Sequence, residues 1–212
     1  MRSIRTLIVA LVVLGCRGDL TAPVPEVPLS SSDAEVYAVV IDAKLLRSGR
    51  ERSMLLLSPL TSAVHAGLNP ATRKYIQKDG GFSDAALDDM AAQAGDRRSL
   101  APLLLELNVR LAPRRLVLYD TVVTVQISQA QKKAAATGVP YVEDYWYAHY
   151  TVFPTSMGTL SLSRVGYDAT HTWAVVAYDH GCAGLCGSGW FVSLRREGMR
   201  WVIVKSVMVW VS

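Results

Sequence analysis

The fold is decided by residues 159–212, TLSLSRVGYDATHTWAVVAYDHGCAGLCGSGWFVSLRREGMRWVIVKSVMVWVS. Four runs in it are rich in β-branched and aromatic residues, and they span 159–165, 172–178, 190–194 and 201–211. The turns between the runs contain Asp168, a glycine-rich segment at 181–189, and Gly198. Such an alternation of apolar runs and turn residues is typical of an antiparallel β-meander.

The residues before this stretch are predicted to be mostly helical. Ser32 and Glu35 have the spacing of a capping box, Pro70 suits the first turn of a helix ending at Gln77, and Ser83 can cap another. Strands are predicted at 54–57, 116–119 and 122–127, an aromatic-rich helix at 143–153, and helix or strand at 100–107. The fold class is therefore α+β, with N-terminal helices packed on a C-terminal antiparallel meander.

Composition and motifs exclude several classes of function. The chain has 22 Lys and Arg against 18 Asp and Glu, and these charges are scattered, so we expect no nucleic-acid partner. Ser188 stands between two glycines, but Cys186 and Trp190 occupy the outer glycine positions of a nucleophile elbow. The sequence also contains no phosphate-binding loop and no HExxH motif. We therefore predict no catalytic residue, no metal and no cofactor.

The N-terminus has the features of an export signal. Basic residues at positions 2 and 5 precede an apolar run at 7–14, which is shorter than the about 20 residues that span a bilayer. The run ends in Val13-Leu14-Gly15-Cys16, which resembles the lipobox of bacterial lipoproteins. The resemblance implies cleavage after Gly15 and lipid attachment to Cys16, so that membrane lipid is the first expected partner.

The lipobox also sets the expected domain boundaries and location. Residues 1–15 are then the signal peptide, residues 16–32 the lipidated cysteine with a proline-rich tether, and residues 33–212 a single α+β domain. The resemblance implies a lipid-anchored location in the bacterial cell envelope. Because Arg17 rather than Asp follows the cysteine, it favours the outer membrane, facing the periplasm or the surface, in a double-membraned bacterium.

Motifs in the C-terminal half carry a second resemblance. They are SRVG at 163–166, GLCGSG at 184–189, a tryptophan at 201, and a final WVS at 210–212. Residues 143–212 resemble a group of uncharacterised bacterial envelope proteins that share these motifs. The resemblance implies an envelope location and a fold, and it brings no catalytic residue with it.

The segment from Asp179 to Cys186 is the most reactive part of the sequence. Cys182 and Cys186 form an even pair in an exported chain, which favours a structural disulfide. Three alternatives remain at this point: a metal site that includes Asp179 and His180, a cysteine nucleophile with His180 as its base, and a redox-active pair.

A cluster of aromatic residues at 145–153 is the other candidate site. Its members either belong to the core or line a ligand cleft, for which Trp146 and Tyr150 are the candidate residues. The predicted function is a membrane-anchored, non-catalytic binding or assembly module of the envelope. The alternatives are an envelope enzyme or redox protein that uses the loop of Asp179, His180, Cys182 and Cys186, and a small-ligand carrier with a helix–sheet cleft.

Overall fold

The structure is a computed structural model that describes residues 28–43, 53–62, 68–137, 145–183 and 186–212. The signal peptide, Cys16 and most of the predicted tether lie outside the described residues, so those predictions stay predictions. Within the described ranges, no helix combines the length and the apolar character needed to cross a membrane.

Helices and strands alternate through the first two thirds of the chain. The helices are α1 (Ser31–Ile41), α2 (Pro70–Gln77), α3 (Asp84–Ala92), α4 (Leu104–Leu111, preceded by a 3-10 turn at Ala101–Leu103), α5 (Thr121–Ala136) and α6 (Tyr145–Val152). The strands are β1 (Met54–Leu57), β2 (Arg115–Leu118), β3 (Ser156–Leu162), β4 (Gly166–Tyr167), β5 (Trp173–Gly181), β6 (Ser188–Glu197) and β7 (Arg200–Val211).

All seven strands form one mixed sheet. The strand order is β2-β1-β3-β5-β6-β7, and β4 pairs with β5. The C-terminal strands pair antiparallel, as the meander predicts, whereas β1 runs parallel to both β2 and β3. The predicted α+β class is confirmed, and the parallel half of the sheet is an addition that the helix-rich N-terminal sequence does not reveal.

Helices cover both faces of the sheet because side chains alternate along each strand. Leu55 and Leu57 of β1 join Val176 of β5 in the core under α1 and α4. On the opposite face, Val175 packs beneath α2 and α3, while Leu56 packs beneath α5 and α6. The two helix groups on this second face therefore cover different halves of the sheet.

Two local predictions are wrong, and hydrogen bonds explain both. Residues 122–127, predicted as a strand, lie in α5, because the Asp120 carboxylate accepts from the backbone N–H groups of Val122 and Val123 and begins a helix. The capping box at α1 uses Ser30 and Asp33, two positions before the predicted pair. Residues 100–107 are helical, which resolves the alternative left open there.

Two further contacts hold helices to the sheet. Tyr37 of α1 is fully buried, and its hydroxyl donates to the carbonyl of Ser163 at 2.8 Å. Gly166 of β4 lies directly against α3, where a Cβ atom would collide with the backbone at Ala86 and Met90. The second contact requires glycine for its small size, because the backbones approach too closely for any side chain.

Candidate functional site

The predicted aromatic residues stand on α6, which packs on the sheet through Ala148 and His149. This packing turns the other side of the helix outward, where Trp146, Tyr147 and Tyr150 stand close together. With Thr151 and with Ala183 of the cysteine loop, they line an open groove of about 390 Å³. The two candidate regions of the sequence therefore meet at a single groove, called the aromatic groove below.

The rings of Trp146 and Tyr150 are nearly parallel. Their centroids are 5.9 Å apart and their planes differ by 25°, since the two residues are four positions apart and stand one helical turn from each other. Trp146 also meets the edges of Tyr145 and lies near His149 at centroid distances of 5.0 and 5.1 Å. Contacts on several sides hold the indole in place, and a fixed aromatic surface is well suited to bind a ligand.

Cys182 and Cys186 are placed at disulfide distance. Their Cα atoms are 5.6 Å apart, the Cys182 side chain is buried and Cys186 is exposed. A bond here closes a short ring and constrains Ala183, which lines the aromatic groove. The cysteine pair therefore lies beside one wall of the groove.

His180 and Asp179 point to different partners. His180 Nε2 lies 2.9 Å from the Met157 carbonyl oxygen, which can only accept, so Nε2 carries the proton. Burial lowers the pKa of His180, and its Nδ1 faces Cys182 Sγ at 3.8 Å. Asp179 instead accepts from the indole N–H of Trp210 at 2.7 Å.

These orientations weaken the metal and nucleophile alternatives for the loop. In the part of the chain that the structure describes, no three His, Cys, Asp or Glu side chains group as metal ligands would. With both sulfurs in a disulfide, the loop offers no thiolate for His180 to activate. A redox exchange at exposed Cys186 is the one loop chemistry that the geometry leaves accessible.

A second cavity, called the hydroxyl cleft below, was not predicted. It has a volume of about 290 Å³ and is lined by Ser58, Tyr119, Tyr145, Thr159, Leu160 and Ser161. Ser58 directly follows β1 and Tyr119 directly follows β2, and these parallel strands end at the same edge of the sheet. Such an edge is a usual ligand position in sheets with parallel strands. The sequence does contain one signal for this cleft, because a residue with a hydroxyl group, Ser58 or Tyr119, follows each of the short apolar strands β1 and β2.

Buried His149 fixes the position of Tyr145 in the cleft. His149 Nδ1 lies 3.3 Å from the Tyr145 hydroxyl, and its Nε2 lies 2.9 Å from Ser156 Oγ. Burial lowers the pKa of His149 to about 4, so the ring is neutral near pH 7 and carries one proton. Ser156 Oγ also accepts from the Gly158 N–H at 3.0 Å, and its own proton can go to the Gly158 carbonyl at 3.3 Å.

These contacts favour one tautomer, in which Nε2–H donates to Ser156 and Nδ1 accepts from Tyr145, because every donor then has an acceptor. Burial, together with a hydrogen bond to Tyr119, raises the pKa of the Tyr145 phenol. Tyr145 therefore stays neutral, and its hydroxyl lies within reach of both His149 and Tyr119.

The aromatic groove and the hydroxyl cleft are neighbours. Tyr145 of the cleft and Trp146 of the groove are consecutive residues of α6. Gly181 lies between the two cavities, since a Cβ atom there would be 2.8 Å from Thr159 Oγ1 and 3.7 Å from the Trp146 ring. The absence of a side chain at Gly181 lets Thr159 and Trp146, one from each cavity, pack over the same stretch of backbone.

No protein family, no curated protein and no solved structure matches the chain.

Proposed function

We propose that the chain is a lipid-anchored protein of the bacterial cell envelope whose α+β domain is a non-catalytic binding module. The membrane lipid is reached through acylated Cys16, and the binding site is the aromatic groove between α6 and the cysteine loop. The observation that carries the binding proposal is the groove itself, about 390 Å³, with Trp146, Tyr147 and Tyr150 in its lining.

The exposure of the aromatic residues supports binding over a purely structural role. Tyr147 is 42% exposed, while Trp146 and Tyr150 are half-buried, so the helix presents three large rings at the surface. Buried Ala148 and His149 already supply the packing that α6 needs on the sheet. Aromatic side chains left at the surface in a concave setting are typical of ligand sites.

The anchor is tested by metabolic labelling with radioactive palmitate in a bacterial host. We expect label in the wild-type chain and none in the Cys16→Ser variant, because the acyl chains attach at that residue. The tryptic peptide map should in addition place the modification at the N-terminus of a chain cleaved after Gly15. Equal labelling of both chains would contradict the anchor.

The binding site is tested by a ligand-observed NMR screen of a fragment library. The full chain carrying Cys16→Ser is compared with the same chain carrying Trp146→Ala or, as a matched control, Tyr75→Ala. Tyr75 is 56% exposed on α2, away from the groove. We expect saturation transfer to aromatic or cyclic fragments that is lost only with Trp146→Ala. Fragment signals that persist in that variant would contradict the proposed site.

A redox function of the cysteine loop is the second candidate, and the exposure of Cys186 favours it. An external thiolate would attack Cys186 Sγ, form a mixed disulfide and release Cys182 as the leaving thiolate. His180 Nδ1, 3.8 Å from Cys182 Sγ, is placed to accept the hydrogen bond of the resulting thiol. Mass spectrometry after incubation with reduced glutathione decides between the two: an unmodified chain supports the structural link, and rapid glutathionylation of Cys186 supports the redox function.

A further inference from the structure

We infer that the aromatic groove and the hydroxyl cleft together bind a neutral oligosaccharide, an inference that rests on the proposed function and names its class of ligand. Each cavity supplies groups that complement one part of a sugar ring. A pyranose ring has apolar C–H faces and a rim of hydroxyl groups, so it needs aromatic surfaces and neutral hydrogen-bonding groups side by side.

The aromatic groove supplies the surfaces for the C–H faces. Trp146 and Tyr150 stand one helical turn apart on α6 as a stacked pair, with their planes 25° from parallel. Tyr147 and Thr151 extend the same lining, and none of these side chains carries a charge at pH 7. A ligand with several similar apolar faces in a row fits this arrangement.

The hydroxyl cleft supplies hydrogen-bonding groups for the hydroxyl rim. Ser161 is half-buried, and its Oγ makes no hydrogen bond to the other described residues. Ser58 Oγ donates to the Leu60 carbonyl at 2.9 Å, which leaves its lone pairs available to accept. The Tyr145 hydroxyl lies 3.3 Å from His149 Nδ1 and lines the same cleft. Hydroxyl groups both donate and accept, so a polyhydroxylated ligand can satisfy all of these partners.

The charges around the cavities select a neutral ligand. Among the described residues, neither the groove nor the cleft includes a Lys, Arg, His, Asp or Glu in its lining. Asp179 is the cross-strand partner of Ser161, so a carboxylate stands on the same face of the sheet beside the cleft. A phosphate or carboxylate group on the ligand would find no cation among the described lining residues.

The two cavities are close enough to share one ligand. Thr159 of the cleft and Trp146 of the groove both flank Gly181, where a Cβ atom would come within 3.7 Å of each. The Thr159 and Trp146 side chains therefore pack side by side over Gly181, and a chain of two or more sugar rings would lie across these two side chains. Its apolar faces would contact α6 while its hydroxyl groups would reach Ser161 and Tyr145.

The test is calorimetric titration of the full chain carrying Cys16→Ser. The probes are three neutral hexasaccharides (cellohexaose, maltohexaose and chitohexaose), the anionic hexagalacturonate, and dodecanoate as an acyl probe. We expect at least one neutral hexasaccharide to bind. Its affinity should fall about tenfold or more with Trp146→Ala and about fivefold with Ser161→Ala, each relative to the chain without that substitution. Tyr75→Ala on α2 serves as the control and should leave the affinity unchanged.

Each result separates this inference from the proposed function. Binding of dodecanoate that depends on Trp146, with no binding of any neutral hexasaccharide, would overturn the saccharide and leave the groove as a binding site. Equal affinity for hexagalacturonate and the neutral probes would overturn the selection by charge. Should Ser161→Ala bind as tightly as the unsubstituted chain, the hydroxyl cleft has no part in binding. If no probe and no fragment depends on Trp146, the proposed function fails as well.

Discussion

Acid should destabilise the domain through His149, the buried histidine that holds Tyr145 and Ser156. Its side chain is fully buried, and burial lowers its pKa from 6.5 to about 4. In the unfolded chain the imidazole is hydrated and titrates near 6.5. Between the two values the unfolded chain binds more protons than the folded chain, so stability rises with pH and is lost as the pH falls through this window.

The size of the effect follows from the two pKa values. The interval from 6.5 to about 4, at about 1.4 kcal/mol for each pH unit, corresponds to at most about 3.5 kcal/mol. Roughly 2 kcal/mol of this should be lost between about pH 7 and about pH 5. Desolvation lowers the pKa of His180 as well, so a smaller loss of the same sign should persist when His149 is replaced.

The assay is urea unfolding followed by tryptophan fluorescence at both pH values. His149→Gln keeps an amide near Ser156 without a titratable group, so the loss of unfolding free energy on acidification should shrink by about 2 kcal/mol relative to wild type. The control is His171→Asn at an exposed turn with φ 53°, a conformation that Asn tolerates, and it should keep the wild-type dependence. An unchanged pH dependence in His149→Gln would refute the assignment of a neutral, buried His149.

Three further predictions about the stability of the fold can be checked in the same urea assay. Gly166→Ala should lower the free energy of unfolding by about 2 kcal/mol or more because the added methyl group collides with the α3 backbone. The control Gly95→Ala, where the structure has open space, should lower it by under about 0.5 kcal/mol. In the double variant Cys182→Ser with Cys186→Ser, the free energy of unfolding should fall by about 2 kcal/mol because the ring is opened. Reduction of the wild type should cause the same loss, and its failure to do so would argue against the disulfide. Tyr37→Phe should cost about 1–2 kcal/mol because it leaves a buried carbonyl without its donor, and a neutral result would show that the carbonyl finds another partner.

The strands of the C-terminal half were predictable because each carries its own local signal. Apolar and β-branched residues alternate there with turn residues, and β5 at Trp173–Gly181 falls close to the predicted run at 172–178. The same propensity misled the prediction at 122–127, where Val and Ile residues lie in α5. There the Asp120 cap and the burial of Val123 and Ile127, four positions apart, outweigh the intrinsic preference for strand.

The candidate site was predictable only in part. Trp146 and Tyr150 could be named because they are neighbours on one helix, and the cysteine pair because it lies within one short loop. The hydroxyl cleft escaped because its residues, from Ser58 to Ser161, are brought together by the parallel pairing of β1 with β2 and β3. Which strands pair is decided by the packing of the whole sheet, and a local sequence pattern carries little of that information.

The claim that the aromatic groove is the binding site is tested most directly by the indole N–H signals in a two-dimensional NMR spectrum. The chain has five tryptophans, and only Trp146 lies in the lining of the groove. On titration with the neutral hexasaccharides, we expect the Trp146 signal to shift with saturation while the Trp173 and Trp201 signals stay in place. A Trp146 signal that does not move at saturating ligand, or equal shifts at all five indoles, would contradict the account.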